Sequence, residues 1–97
     1  MYLEIVTPEA ILFSSKIDSV LVPGVHGEFQ MLNNHAPIVS VLKKGTIKIH
    51  VHTQEHLELE ELSGHLVAHI DDSKVLTLVI NSGTLELKDN KAIVLVD

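Results

Sequence analysis

From Thr46 to His52 the chain alternates polar and apolar residues without a break, so Ile47, Ile49 and Val51 share one face and Thr46, Lys48, His50 and His52 the other. A repeat of two residues is the signature of a half-buried strand and does not fit a helix, whose side chains recur every 3.6 positions. Leu85 and Leu87 alternate with Glu86 and Lys88 in the same way, and Leu57-Glu58-Leu59-Glu60 repeats the pattern inside Thr53–Leu62. Tyr2–Val6 and Ile17–Val22 also read as strands, while Val75–Ile80 and Ala92–Val96 are continuous apolar runs suited to strands covered on both sides. Turn formers fall between these segments at short intervals, among them Pro23-Gly24, Asn33-Asn34, Lys44-Gly45, Asn81-Ser82-Gly83 and Asp89-Asn90. Asp89-Asn90 has the form of a two-residue hairpin turn, because Asp and Asn tolerate positive φ. His65 and His69 fall on a strand in this reading, too far apart to share one ion. The expectation is a single all-β domain, an antiparallel sandwich or barrel.

Composition supports this and removes several functions. With 97 residues there is room for one core, spanning residues 1–97, and a hydrophobic fraction of 45% is enough to build it. Aromatics are only 3%, so Val, Ile and Leu must fill the interior. The seven cationic residues are all lysine, against 13 acids, for a net charge of −6. That balance argues against nucleic acid and against anionic membrane surfaces as partners. The absence of cysteine removes thiolate chemistry, disulfides and Cys-ligated metals, and fits a reducing compartment. The start of the chain, with Glu4 and no basic cluster, is unlike a secretory signal, and no apolar run is long enough to span a membrane.

Residues that could carry chemistry do not assemble into a site. Seven histidines raise the question of a metal, and His50 and His52 would lie on one strand face about 7 Å apart. A solvated face shared with Lys48 needs no metal and is the preferred reading, because no closed ligand set and no partner to orient the rings can be named. A stand-alone His-rich metal- or ligand-binding sandwich is kept as the alternative function. Glu58, Glu60 and Glu61 read as a solvated face rather than an acid/base pair. No nucleophile elbow and no phosphate-binding glycine loop is present. The densest stretch is Val22–Gly45, which joins a glycine turn, an acid expected at its tip (Glu28), and His35-Ala36-Pro37, where Pro37 holds Ala36 extended. For His35 an ordinary turn, with the ring bonded to a backbone carbonyl, and a binding role are both open.

Leu3-Glu4-Ile5-Val6-Thr7-Pro8-Glu9, Leu12-Phe13-Ser14, Val22-Pro23-Gly24, Gly27-Glu28-Phe29, His35-Ala36-Pro37-Ile38, Leu42-Lys43-Lys44-Gly45 and Val94-Leu95-Val96-Asp97 together resemble the N-terminal domain of the epsilon subunit of F-type ATP synthases. The resemblance implies a flattened antiparallel β-sandwich of about ten short strands. It also implies a non-catalytic rotor part in the central stalk, without cofactor, that couples proton flow to ATP synthesis. Its partners would be the gamma subunit, the cytoplasmic loops of the c-ring and, indirectly, the alpha3beta3 head, at the cytoplasmic face of a bacterial membrane.

Carried over residue by residue, Gly27, Glu28, Phe29 and Gln30 match the loop that faces the c-ring. Thr7, His35, Ala36, Pro37, Ile38 and Ser40 match the surface that lies against gamma. Gln30 and Asn33-Asn34 depart from the family pattern, which has glycine and Pro-Gly there. Residues from about 50 to 80 are expected to form an extended hairpin region, and the helical hairpin found in many bacterial members is missing up to Asp97.

Overall fold

The structure, a computed structural model, describes residues 1–51, 66–68 and 75–97, with the backbone alone described at 66–68. Ten strands run through them: β1 (Tyr2–Val6), β2 (Ile11–Lys16), β3 (Ser19–Gly24), β4 (Gly27–Leu32), β5 (Ile38–Leu42), β6 (Gly45–His50), β7 (Leu66–Ala68), β8 (Val75–Ile80), β9 (Gly83–Lys88) and β10 (Lys91–Val96). Their hydrogen-bonded order is β2-β1-β10-β9-β5-β3-β6-β8-β7, with β4 along the other edge of β3. Between β5 and β3 the ladder thins to the single pair Gly24–Leu42. At that corner the sheet folds over into two layers, β2-β1-β10-β9-β5 and β4-β3-β6-β8-β7.

The inner faces of both layers meet in one core. Leu3, Ile5, Phe13, Leu85, Leu87 and Val94 come from the first layer and Val20, Met31, Ile47, Ile49, Leu76 and Leu78 from the second, all buried. Each side chain of this kind contributes about 1.5–3 kcal/mol by leaving water, which is why an interior with so little aromatic content holds. The perfect alternation at β6 is realised, with Ile47 and Ile49 fully buried. A bulge between Ile5 and Val6 leaves Leu12 outside the β1–β2 register, which lets Leu12 and Phe13 both point inward despite being adjacent. The β9–β10 hairpin turns on Asp89 (φ 52°) and Asn90 (φ 61°), both left-handed, as the two-residue turn requires.

Four expectations change. Val75–Ile80 lies in β8 and Ala92–Val96 in β10, but Val79 (70%) and Leu95 (54%) are exposed, so neither strand is covered on both sides. The sandwich is not wholly antiparallel, since β1 and β10 run parallel from Tyr2–Lys91 to Val6–Leu95. These two strands are joined through the rest of the chain, so no short turn forces opposite directions. The strand expected at Ile17–Val22 lies at Ser19–Gly24 instead. Ile17 and Asp18 form the entry bend, their N–H groups donating to Met1 O and His50 O at 2.8 Å each. Pro23-Gly24 is therefore the end of a strand, and the turn is Val25-His26. The Thr53–Leu62 strand, most of the extended hairpin region and the side chains of His52, His56, His65 and His69 lie outside the described residues. The strand expected between His65 and His69 is present as β7, paired with β8.

Candidate functional site

Cross-strand register decides what each outer face displays, because directly paired residues project to the same side. On the first layer the register Ile11–Val6–Leu95–Thr84–Val41 makes one row, nearly all apolar. Ser14–Glu4–Ile93–Glu86–Val39 makes the next, and Lys16–Tyr2–Lys91–Lys88 a third. Val39 is 78% exposed, Ile11 60%, Val41 57% and Leu95 54%, so four of the seven exposed large hydrophobics among the described residues share this face. Val6, Thr7, Pro8, Val41, Thr84 and Leu95 line a shallow depression at its apolar end.

The gamma-matching residues fall around this face in two groups. Thr7 closes the β1–β2 turn at the apolar end, its Oγ1 accepting from the Ala10 N–H at 3.0 Å and the Glu9 N–H at 3.3 Å. His35, Ala36 and Pro37 lie at the opposite end, leading into β5. Within β5, Ile38 and Ser40 alternate with Val39 and Val41 and are half-buried, Ile38 packing against the core. The residues that β5 turns to solvent are Val39 and Val41, which the motif match did not single out. Exposed apolar side chains within a strand were the signal that could have found them.

His35–Pro37 is held by groups far away in sequence. Asn34 takes φ 64°, the left-handed conformation that Asn tolerates. Its N–H donates to Asn90 Oδ1 at 2.8 Å, and Asn90 Nδ2 donates to Asn33 Oδ1 at 2.8 Å. The Met1 amine donates to the same Asn33 oxygen at 2.7 Å. The β9–β10 turn thus clamps the β4–β5 turn, and nothing in the linear sequence marks that pairing. The His35 N–H donates to Leu32 O at 3.1 Å, and its Nδ1–H to Ala36 O at 2.7 Å, so the ring does bond a backbone carbonyl.

At the other end of β4, Glu28 is not the tip. Val25 and His26 are, and Glu28 pairs with Pro23 in the first part of the strand. Gly27 takes φ 126°, a conformation that side chains rarely adopt. Glu28 and Gln30 project from the outer face of the second layer and are exposed. Gln30 Nε2 donates to Ser19 Oγ at 3.2 Å. Phe29 points the other way, onto the core and over Gly24, where an added Cβ would stand 2.8 Å from its ring. The four residues matched to the c-ring loop therefore divide into two exposed side chains, one inward ring and one turn glycine.

Among the described residues no three His, Asp or Glu side chains gather as a metal would need. His50 Nδ1 is shielded from water and lacks a hydrogen-bond partner.

The family described as "ATP synthase, Delta/Epsilon chain, beta-sandwich domain" matches residues 1–61. The chain belongs to this family. The ATP synthase epsilon chain of Campylobacter curvus is 42% identical over 78 residues, 80% of this chain and 59% of its own length. That of Desulforamulus reducens is 33% identical over 95 residues, 98% of this chain and 57% of its own. That of Chlorobaculum tepidum is 34% identical over 95 residues, 98% of this chain and 86% of its own. The chain thus spans less than two thirds of the first two relatives. A chain in the cryo-EM structure of the Tetrahymena thermophila mitochondrial ATP synthase, central stalk and c-ring, shares the fold at TM-score 0.70 and 15% identity, covering 98% of this chain and 61% of its own. The epsilon-type fold agrees with the all-β architecture described above.

Proposed function

We propose that this epsilon-type domain is a non-catalytic rotor element of a bacterial F-type ATP synthase, at the cytoplasmic face of the membrane. In this reading it binds the gamma subunit through the outer face of the β2-β1-β10-β9-β5 layer and meets the c-ring loops through Glu28 and Gln30 on the other. The observation that carries the reading is the apolar row Ile11–Val6–Leu95–Val41 with Val39 beside it. A contiguous exposed apolar patch on a sheet face is the mark of a protein interface. The names of the relatives, all epsilon chains of ATP synthase, supply the complex in which that interface would be used.

The two outer faces suit two different partners. The first is apolar and would bind by desolvation, and its central side chains would dominate affinity. The second presents Glu28 in the open, where an ion pair contributes only about 0–1 kcal/mol, so the c-ring contact would be weak on its own and held in place by the gamma interface.

Co-expression with the gamma subunit of the same genome, followed by size-exclusion chromatography, tests this. The expected result is a stable one-to-one complex that is lost in Val39→Gln/Val41→Gln, a variant that keeps its fold because both side chains already face solvent and no new charge is set opposite Glu86. Separate elution of two folded proteins would reject gamma as the partner. Ile38→Asp serves as the contrast: it places a charge against the core and would unfold the domain rather than detach it.

A further inference from the structure

The third row of the first layer departs from the rest of this acidic chain. Tyr2 is the register partner of both Lys16 and Lys91, and Lys91 is the partner of Lys88, so three of the seven lysines and one tyrosine cross four neighbouring strands in a line. All three lysines are exposed. Lys91 Nζ sits 5.8 Å from the centre of the Tyr2 ring, and the Tyr2 hydroxyl is hydrogen-bonded to Ser14 Oγ, which fixes the ring on this face. Lys88 and Lys91 stand directly opposite each other across the β9–β10 ladder, a placement that destabilises a sheet when both are charged. Glu4 and Glu86 occupy the adjoining row, yet among the described residues none of the three lysines forms an ion pair.

A like-charge pair directly opposed on a sheet face, with only the Tyr2 ring beside Lys91 and no carboxylate paired to either among the described residues, breaks a local rule, and such breaks concentrate at sites of function. The row is also continuous with the proposed interface. Lys88 lies one position beyond the Ile38–Leu87 pair, where the chain enters β5 from Pro37. The outer face is therefore graded, apolar at the Val41 end and cationic at the His35–Pro37 end.

We propose that Lys16, Lys91 and Lys88, with Tyr2, form the cationic end of the partner-binding face and receive carboxylates from an acidic segment of the subunit that covers Val39 and Val41. This rests on the gamma reading and refines it: the apolar rows supply affinity, and the lysine row fixes which way round the partner lies and speeds its approach. Lys88→Glu separates this role from a structural one, because it turns the like-charge pair with Lys91 into an opposite-charge pair. The isolated domain should then melt at the same or a higher temperature while binding gamma more weakly.

The test titrates wild type and Lys88→Glu against purified gamma at low and high salt, with the melting temperature of each free domain. The expected result is affinity about tenfold lower for the variant at about 0.05 M salt, with the two converging near 0.5 M as screening removes the charge contribution. Equal affinity and equal salt dependence would overturn the lysine row's role while leaving the gamma interface standing. A variant that melts lower and loses binding in proportion would overturn it too, by showing a structural pair. Failure of the wild type to bind gamma at any salt would reject the parent reading itself. Binding of wild type, and not Lys88→Glu, to vesicles of equimolar phosphatidylglycerol and phosphatidylcholine, with gamma affinity unchanged, would assign the row to a lipid surface and overturn the proposal.

Discussion

The two ends of β4 reverse the chain by different means. At the Val25-His26 end the turn rests on two glycines, Gly27 with its positive φ and Gly24 with room for the Phe29 ring, and one backbone bond ties it to β5, from the Val25 N–H to Val41 O at 3.2 Å. At the Asn33-Asn34 end it is built at a distance, by an amide clamp from Asn90, 56 residues away from Asn34. Both ends use a residue that permits positive φ, Gly27 at one and Asn34 at the other, but only the second is also held by side-chain amides from a distant turn. The proposed c-ring contact sits by the glycine turn and the proposed gamma contact by the clamped one, so damage to the sheet order should reach the second before the first.

Substitutions can break that contrast, the largest first. Asn90→Ala should lower stability by about 2.5 kcal/mol in urea unfolding, since it loses the clamp and forces alanine into a left-handed turn. Asn90→Gly, which keeps the turn and loses only the two hydrogen bonds, should cost about 1 kcal/mol. It should also speed amide exchange at Asn34 while leaving Val25 and His26 unchanged. If exchange rises equally at both ends, the clamp is not local to the gamma side.

Gly24→Ala acts on the opposite end. Its new Cβ would meet Gly27 O and the Phe29 ring at 2.8 Å each, and crowding of that kind costs about 2 kcal/mol. A shift of the Phe29 ring resonances, with those of His35 undisturbed, would mark the effect as confined to the tip. Gly27→Ala meets no neighbour and suffers only from its φ, so a loss of about 1 kcal/mol in the same unfolding assay is expected. Asn34→Gly should change stability by no more than about 0.5 kcal/mol, because its φ suits glycine and its bonded group is the backbone N–H. A larger loss would show that the Asn34 side chain has a role beyond permitting the turn.

Much of this was legible from residue order. Alternation in β6 and β9, the continuous apolar runs of β8 and β10 and the Asp89-Asn90 turn all appear where they were expected. The motif match assigns both proposed contacts to Gly27–Ser40, apart from Thr7. What it missed is instructive. It set Glu28 at the tip because Pro23-Gly24 resembles a turn. Yet Pro23 sits in β3 beyond the last β3–β6 pair at Leu21, and its carbonyl accepts the Lys43 N–H at 2.9 Å. It names Ile38, which is half-buried, and not its exposed neighbour Val39, because a matched motif carries identity without orientation, and a shift of one residue reverses the face.

The sequence by itself determined which side chains of a strand share a face and where the chain is free to turn, since both follow from the pleat and from the φ range of single residues. The parallel pairing of β1 with β10, the fold-over at Gly24–Leu42, the Asn33–Asn90 clamp and the lysine row were decided only by the tertiary structure. The reason is physical. Alternation is a property of one strand, whereas partner, direction and register are chosen by the shared core, and residues nearly ninety positions apart become neighbours only when both layers close over it.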